Sequence, residues 1–208
     1  GTGTFGSRSI AVGGAALALA ADEIIAKATQ IAAHQLEVAV ADVQCHDGKF
    51  VVKGTDQIIA WKEVARAAHA PALLPAGCTP GLETQADFDP VNVAWSNGCH
   101  VAEVAVDTET GKVNVTRYVA VDDFGTVINP TIVHGQVHGG IAQGLGPALF
   151  ESVQLDATGQ PLTGSFMDYA IARADDVPDI EAENDESQPF PHNLLGAKGC
   201  GESGAVGA

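Results

Sequence analysis

The chain has 208 residues, 46% of them hydrophobic, with a formal net charge of −16; that is enough apolar material for one large domain or two small ones. With 26 acidic against 10 basic side chains, its surface repels nucleic-acid phosphate and anionic lipid alike, so neither is expected as a partner. Cys45, Cys78, Cys99 and Cys200 stand far apart without a C-x-x-C pair, which argues against a zinc knuckle or iron–sulfur ligands and for reduced thiols in a cytoplasmic protein.

In chain order, Gly1-Thr2-Gly3-Thr4-Phe5-Gly6-Ser7-Arg8-Ser9 precedes an Ala-rich apolar segment, residues 10–37, that reads as a helix. Free N–H groups at a helix start, Ser and Thr donors and a forked guanidinium together favour a phosphate or pyrophosphate. The plainer alternative is that Ser7 or Ser9 caps the helix and Arg8 lies in solvent. The spacing is neither a Walker loop nor the dinucleotide fingerprint. The small residues 13–16 imply close packing of the first turns against another backbone. The longest apolar run, residues 10–21, is about twelve residues long, short of the roughly twenty that span a bilayer, and no secretory signal is legible.

Residues 43–46 and 49–53 flank Asp47-Gly48, a two-residue hairpin signal; a third short strand at 57–60 and a helix at 61–70 follow. Residues 71–95, broken by Pro71, Pro75, Pro80 and Pro90, read as a long irregular segment, either a substrate-shaping loop or a linker. Residues 99–107 and 112–122 alternate around Thr108-Glu109-Thr110-Gly111 as an antiparallel hairpin. After Asn129-Pro130, residues 131–150 read as a buried helix. Gly135, Gly139, Gly140, Gly144 and Gly146 each weaken it by up to about 1 kcal/mol relative to Ala, and a packing or ligand contact is the usual compensation.

His134 and His138 share a face of that helix, but Gly-Gln-Val lies between them and no third ligand is evident among His34, His46, His69, His100 and His192. They read as satisfied or solvent-facing histidines rather than a metal pair. Gln136 and Gln143 offer amides that donate and accept, as a heterocycle edge requires. A turn at 157–159, Asp168-Tyr169, a polar turn at 173–178 and a strand at 180–184 lead to the end of the chain. The expected class is α+β: helices with short antiparallel sheets, in lobes at 1–95 and 96–208.

The last stretch, Gly196-Ala197-Lys198-Gly199-Cys200-Gly201-Glu202-Ser203-Gly204, sets one carboxylate among glycines. A cofactor or substrate could approach such a backbone closely, with Glu202 as the strong base in reach. The alternative is a glycine-rich turn with an exposed Glu.

Together with Asp123-Phe-Gly-Thr-Val-Ile-Asn-Pro130, Gly135-Gln-Val-His-Gly-Gly-Ile-Ala-Gln-Gly144 and Phe166-Met-Asp-Tyr169 followed by Asp176-Val-Pro178, the two terminal motifs resemble the large subunit of the molybdenum hydroxylases. That family comprises xanthine dehydrogenase, aldehyde oxidase and aerobic carbon monoxide dehydrogenase. Five motifs in the family's order span nearly the whole chain. The resemblance implies that 1–208 is a portion of the C-terminal molybdopterin-binding domain, with Glu202 as the active-site base that serves hydroxylation of an electron-poor carbon, in an aldehyde or N-heterocycle, by water. A carboxylate desolvated in such a loop has its pKa raised toward neutrality, which suits a base near pH 7.

The resemblance also implies that Gly3, Thr4, Gly6, Ser7, Arg8 and Ser9 hold the pyrophosphate of a dinucleotide cofactor. Gln136, Gly139 and Gly140 would lie against its pterin, and Lys198, Gly199, Cys200 and Gly201 beside it, with no residue ligating the metal directly. The cofactor implied is molybdopterin in its cytosine dinucleotide form with molybdenum, with iron–sulfur clusters and FAD on partner subunits. Implied partners are the N-terminal part of the large subunit, an iron–sulfur subunit, a flavin or cytochrome partner and a small-molecule substrate, without nucleic acid or membrane insertion. The expected location is the cytoplasm, the periplasm in some branches. Family large subunits are several times longer and carry a Gly-Gly loop near molybdenum, substrate-pocket residues and, in the carbon monoxide branch, a copper-bound Cys, all absent from this sequence. The chain is therefore expected to be a fragment or one piece of a split enzyme, inactive in isolation. The competing expectation is a non-catalytic domain that keeps the fold and holds no molybdenum.

Overall fold

The first helix begins with a widened turn. In the computed structural model, which describes residues 3–207, Ser9–Gly14 forms a π-helical turn that runs on as α1 (Ala15–Gln35). Gly1 and Thr2 of the opening motif lie outside the described residues. The small residues here do allow close approach: a methyl added at Gly14 would come within 2.9 Å of Leu195 Cδ1. The helix stops at Gln35 rather than 37, because Glu37 turns left-handed (φ 57°) and the Val38 N–H donates back to the Ala33 carbonyl at 3.0 Å, a Schellman-type ending.

By length and composition the continuous stretch Ser9–Gln35, mean hydropathy 1.6, is long and apolar enough to cross a membrane. The twelve-residue run at 10–21 therefore understates it: Ala and Ile continue the apolar pattern past Asp22, Glu23 and Lys27. Its last turns, however, supply Ala28, Ile31, Ala32 and Ala33 to a protein core.

The chain divides into two units, Ala16–Phe88 and the combination of Gly1–Ala15 with Asp89–Ala208. In the first, β1 (Val43–His46), β2 (Lys49–Val52) and β3 (Ile58–Ala60) form an antiparallel sheet in sequence order. Asp47 and Gly48 take φ of 46° and 70°, the backbone that a two-residue hairpin between right-twisted strands demands. Then comes α2 (Trp61–Ala68), whose Glu63 carboxylate accepts the Ala60 N–H at 3.0 Å. It ends two residues before the expected 70, because Ala70 precedes Pro71 and is driven to extended φ/ψ (−113°, 100°). Phe50, Val52, Val64, Ala67 and Ala68 close on the Ala28–Ala33 side of α1, and Trp61 stacks on Phe50 at 5.1 Å. Apart from a short 3₁₀ turn at Pro71–Leu73, the Pro-rich segment has no helix or strand before Asn97.

In the other unit, β4 (Asn97–Val106) and β5 (Val113–Asp123) pair antiparallel with a register shift at Glu103/Val104. The Asp107 carboxylate closes the turn by accepting from the Thr110 hydroxyl and the Glu109 N–H, bonds that hold its pKa below the usual carboxylate range. Then α3 (Pro130–Leu149) starts on an Asn129 cap, with Oδ1 accepting the Ile132 N–H at 3.2 Å and Pro130 in the first turn. β6 (Ile180–Asn184) returns to β5, and this pair is parallel. The α+β class stands, but the second sheet is mixed, because the long excursion through α3 brings the chain back in the same direction, as a parallel pair requires.

α3 is buried on one face only, a correction to the expectation of a buried helix. Val137, Gly140, Ile141, Leu145 and Gly146 are buried, and the apolar ones pack with Tyr118, Ala120 and Phe124. Gly135, Gln136, Gly139 and Gln143 face out. The short α4 (Ser203–Gly207) crosses α3 where Gly204 meets Gly140: a methyl at Gly204 would lie 2.7 Å from the Val137 carbonyl oxygen. This glycine pair accounts for one of the costly glycines in the α3 sequence.

Candidate functional site

Three segments far apart in sequence meet at Ser7. Gly6 and Ser7 both take left-handed φ (59° and 51°), turning the chain so that the Ser7 hydroxyl accepts the Gly201 N–H at 2.7 Å. A methyl at Gly199 would sit 2.6 Å from Ser7 Cβ. A methyl at Gly201 would overlap Ser7 Oγ and lie 3.3 Å from Gln136 Nε2, an amide on the open face of α3. Gly199 and Gly201 are thus required by close approach of the loop backbone to Ser7, and Gly201 also by Gln136. Of the residues expected at a cofactor, Gly6, Ser7, Gln136, Gly199 and Gly201 come together here.

The loop is anchored from below. Lys198, buried to 8% side-chain exposure, pairs with Asp123 at the end of β5, and its N–H donates to the Phe124 carbonyl at 2.8 Å. The other Asp123 oxygen accepts the Gly125 N–H at 2.8 Å. Gly125 and Gly196 are both left-handed, and neither has room for a methyl: the Gly196 carbonyl blocks one at Gly125, and Thr126 and Pro189 block one at Gly196. Asn193 Oδ1 accepts the N–H groups of Leu195 and Ala197 while its amide donates to the Ala197 carbonyl. The glycine-rich motif points to the Lys198–Gly201 backbone but not to the Lys198 side chain, Asp123 or Asn193, which hold that backbone in place. For Asp123 the signal was an acidic side chain opening the Asp-Phe-Gly-Thr motif, and for Asn193 there was none.

The remaining candidates are arranged differently. Arg8 folds back, with Nη2 donating to the Gly3 carbonyl at 2.7 Å and its guanidinium 3.9 Å over the Phe5 ring. The Thr4 and Ser9 hydroxyls bond each other at 2.7 Å. Gly139 and Gly3 face open space. Cys200 is half-buried, and burial, with Glu202 nearby, pushes its thiol pKa up, so it is held as the thiol. Glu202 is exposed, and its carbonyl accepts the Val206 N–H at 3.2 Å as α4 begins. His134 and His138 lie with ring centroids 4.3 Å apart. His138 Nε2 and Ser203 Oγ are buried and have no hydrogen-bond partner among the described residues. Burial, then the neighbouring His134, depresses the His138 pKa.

The family model described as the molybdopterin cofactor-binding domain matches residues 1–178. The chain belongs to the molybdopterin cofactor-binding domain family. Over its full length it is 43% identical to the carbon monoxide dehydrogenase large chain of Hydrogenophaga pseudoflava, of which it covers 26%. It is 38% identical, over 100% of its own length and 26% of the relative's, to the nicotine 6-hydroxylase large subunit of Paenarthrobacter nicotinovorans. Among solved structures, a Cu,Mo carbon monoxide dehydrogenase matches 100% of this chain and 26% of that one, at a TM-score of 0.92 and 40% identity. Quinoline 2-oxidoreductase from Pseudomonas putida 86 matches 99% of this chain and 26% of that one, at 0.91 and 41%. The chain therefore spans about a quarter of the length of these relatives.

Molybdopterin is the group this family's domain binds, and the residues present suit it. The Ser7, Gln136 and loop-glycine contacts form a surface of hydroxyl, amide and bare backbone, the donor set that a polar heterocycle with a phosphate tail uses. Open space beside Gly3, Gly6 and Gly139 leaves it accessible. The unpartnered His138 Nε2 and Ser203 Oγ lie on the same two elements that carry Gln136 and follow Glu202.

Proposed function

We propose that this chain is the cofactor-binding and catalytic-base portion of the large subunit of a molybdenum hydroxylase that oxidises an electron-poor carbon of an aldehyde or N-heterocycle with water. The meeting of Ser7, Gln136 and the Gly199–Gly201 backbone just ahead of Glu202 carries this reading. When bound, the molybdenum cofactor supplies the two-electron oxidation. Gly3, Thr4, Gly6, Ser7, Arg8 and Ser9 bind the pyrophosphate of its cytosine dinucleotide form, drawing on the N–H groups of a helix start. Gln136 and Gly139 orient the pterin, with the Lys198–Gly201 stretch alongside, and Gly140 admits the α4 backbone at Gly204. The Lys198–Asp123 pair fixes the loop, and Glu202 takes the proton from the attacking water oxygen.

The names of the relatives support the enzyme class. The finer features are proposals of the same reading: an N-terminal part of the large subunit, an iron–sulfur subunit, a flavin or cytochrome partner with iron–sulfur clusters and FAD, a cytoplasmic location and no membrane insertion. The core role of Ala28–Ala33 supports the last of these.

In the complete enzyme, Glu202→Gln is expected to lower kcat about 10²- to 10⁴-fold while molybdenum and released cytidine nucleotide per active site stay at wild-type levels. Normal turnover by the variant would remove Glu202 as base. A preparation of the complete enzyme without molybdenum or cytidine nucleotide would favour the non-catalytic reading.

A further inference from the structure

Beyond the residues that face the cofactor surface, one buried polar cluster touches the α4 backbone that follows Glu202. His100 on β4 is buried, with 6% side-chain exposure, and held at both ring nitrogens. Nε2 lies 3.2 and 3.3 Å from the two Asp122 oxygens, and Nδ1 lies 3.0 Å from the Tyr118 hydroxyl. A carboxylate only accepts, so Nε2 carries a hydrogen and donates to Asp122. Asp122 and Tyr118, on β5, are 2% and 1% exposed. Gly98 makes the room, since a methyl there would overlap Asp122 Oδ1. Burial, then the Asp122 charge, raises the Tyr118 pKa and keeps its hydroxyl protonated.

Gly207 of α4 lies against this ring. A methyl on Gly207 would run into His100 Nδ1 and lie 2.6 Å from Cγ and 2.9 Å from Cε1. Moving the ring aside would break its bonds to Tyr118 and Asp122. Consecutive β5 residues therefore grip the Glu202 segment at both ends. Asp123 holds Lys198 ahead of it, while Asp122, through His100, sets the seat of Gly207 behind it. Side chains of neighbouring strand residues point to opposite faces, so the two grips are separate.

We infer that His100, fixed by Tyr118 and Asp122, is a positioning residue for Glu202 that acts through the backbone of α4 at Gly207. The inference rests on the reading of Glu202 as the base. It gives a role to a buried histidine that family resemblance left unassigned, and it makes a catalytic carboxylate depend on a contact it does not itself make.

The test uses the complete enzyme with its partner subunits and four variants. Gly207→Ala sets one methyl against the His100 ring but removes none of the bonds among His100, Tyr118 and Asp122, so the displacement falls on the short α4 and a folding failure is not expected. It should lower kcat on the order of ten- to a hundredfold, the scale of a displaced catalytic group. KM should stay within about twofold, molybdenum content should be unchanged, and amide hydrogen exchange at residues 203–207 should quicken. His100→Ala should do the same; if it fails to assemble, Tyr118→Phe, which removes only a hydroxyl, substitutes for it and should give the same pattern in weaker form. Unchanged kcat and exchange in Gly207→Ala, with Glu202→Gln inactive, would overturn the positioning role and leave the base intact. Wild-type turnover by Glu202→Gln would remove the base and the positioning role together.

Discussion

At the residue scale, the glycines separate by what stands where a side chain would go. Gly48 takes φ 70° with open space around it, whereas Gly125 takes φ 61° with the Gly196 carbonyl oxygen in the place of a Cβ. Gly48→Ala should therefore cost only the left-handed penalty of about 1–2 kcal/mol. Gly125→Ala should add an overpacking cost of about 1–3 kcal/mol to it. Urea midpoints of the two variants check the order, and equal midpoints would contradict it. The Lys198–Asp123 pair allows a second prediction. Asp123→Ala leaves a buried ammonium without its partner and should cost about 3–5 kcal/mol, much of which Lys198→Met should restore in the double variant. A double-mutant cycle by denaturant unfolding measures the restoration.

At the scale of elements, the hairpin at Asp47-Gly48 was legible because the turn is encoded by the two residues that make it. The parallel return of β6 was not, since strand direction depends on the path of the chain through α3, which no local pattern records. α3 shows the same division: its helical period is plain in Ile132, Val133, Val137, Ile141 and Leu145, yet its open face could not be separated from its buried face when glycines populate both. One consequence is electrostatic. Burial and His134 hold His138 below its ordinary 6.5, so between that value and the lower folded one the unfolded chain binds more protons than the native chain. The stability associated with a neutral His138 is therefore complete above pH 6.5 and is lost as pH falls through the folded value. His138→Gln should remove this dependence. The difference in unfolding midpoint between wild type and variant, followed from pH 7.5 to pH 5, should shift against the wild type as the solution is acidified; a constant difference would contradict the assignment.

At the scale of the whole molecule, two separate hydrophobic clusters organise the chain, one around Phe50 and Ile31, the other around Tyr118, Phe124 and Ile141. Phe50→Ala removes a fully buried ring that stacks on Trp61 and should cost about 3–5 kcal/mol in its own cluster. Hydrogen exchange should then rise at 31–33, 50–52 and 64–68 while 118–124 and 137–145 keep their protection; uniform acceleration would mean the clusters unfold together. The family and the loop bearing Glu202 were readable from motif order, because glycine, hydroxyl and carboxylate patterns are local demands of backbone and ligand chemistry. By itself the sequence determined the element types, the turn chemistry and the family. Only the tertiary structure decided that Ser7 meets Gly201, that Asp123 holds Lys198 and that Gly207 rests on His100. These are contacts between segments as much as 194 residues apart, and they follow from how helices and strands pack rather than from any spacing along the chain.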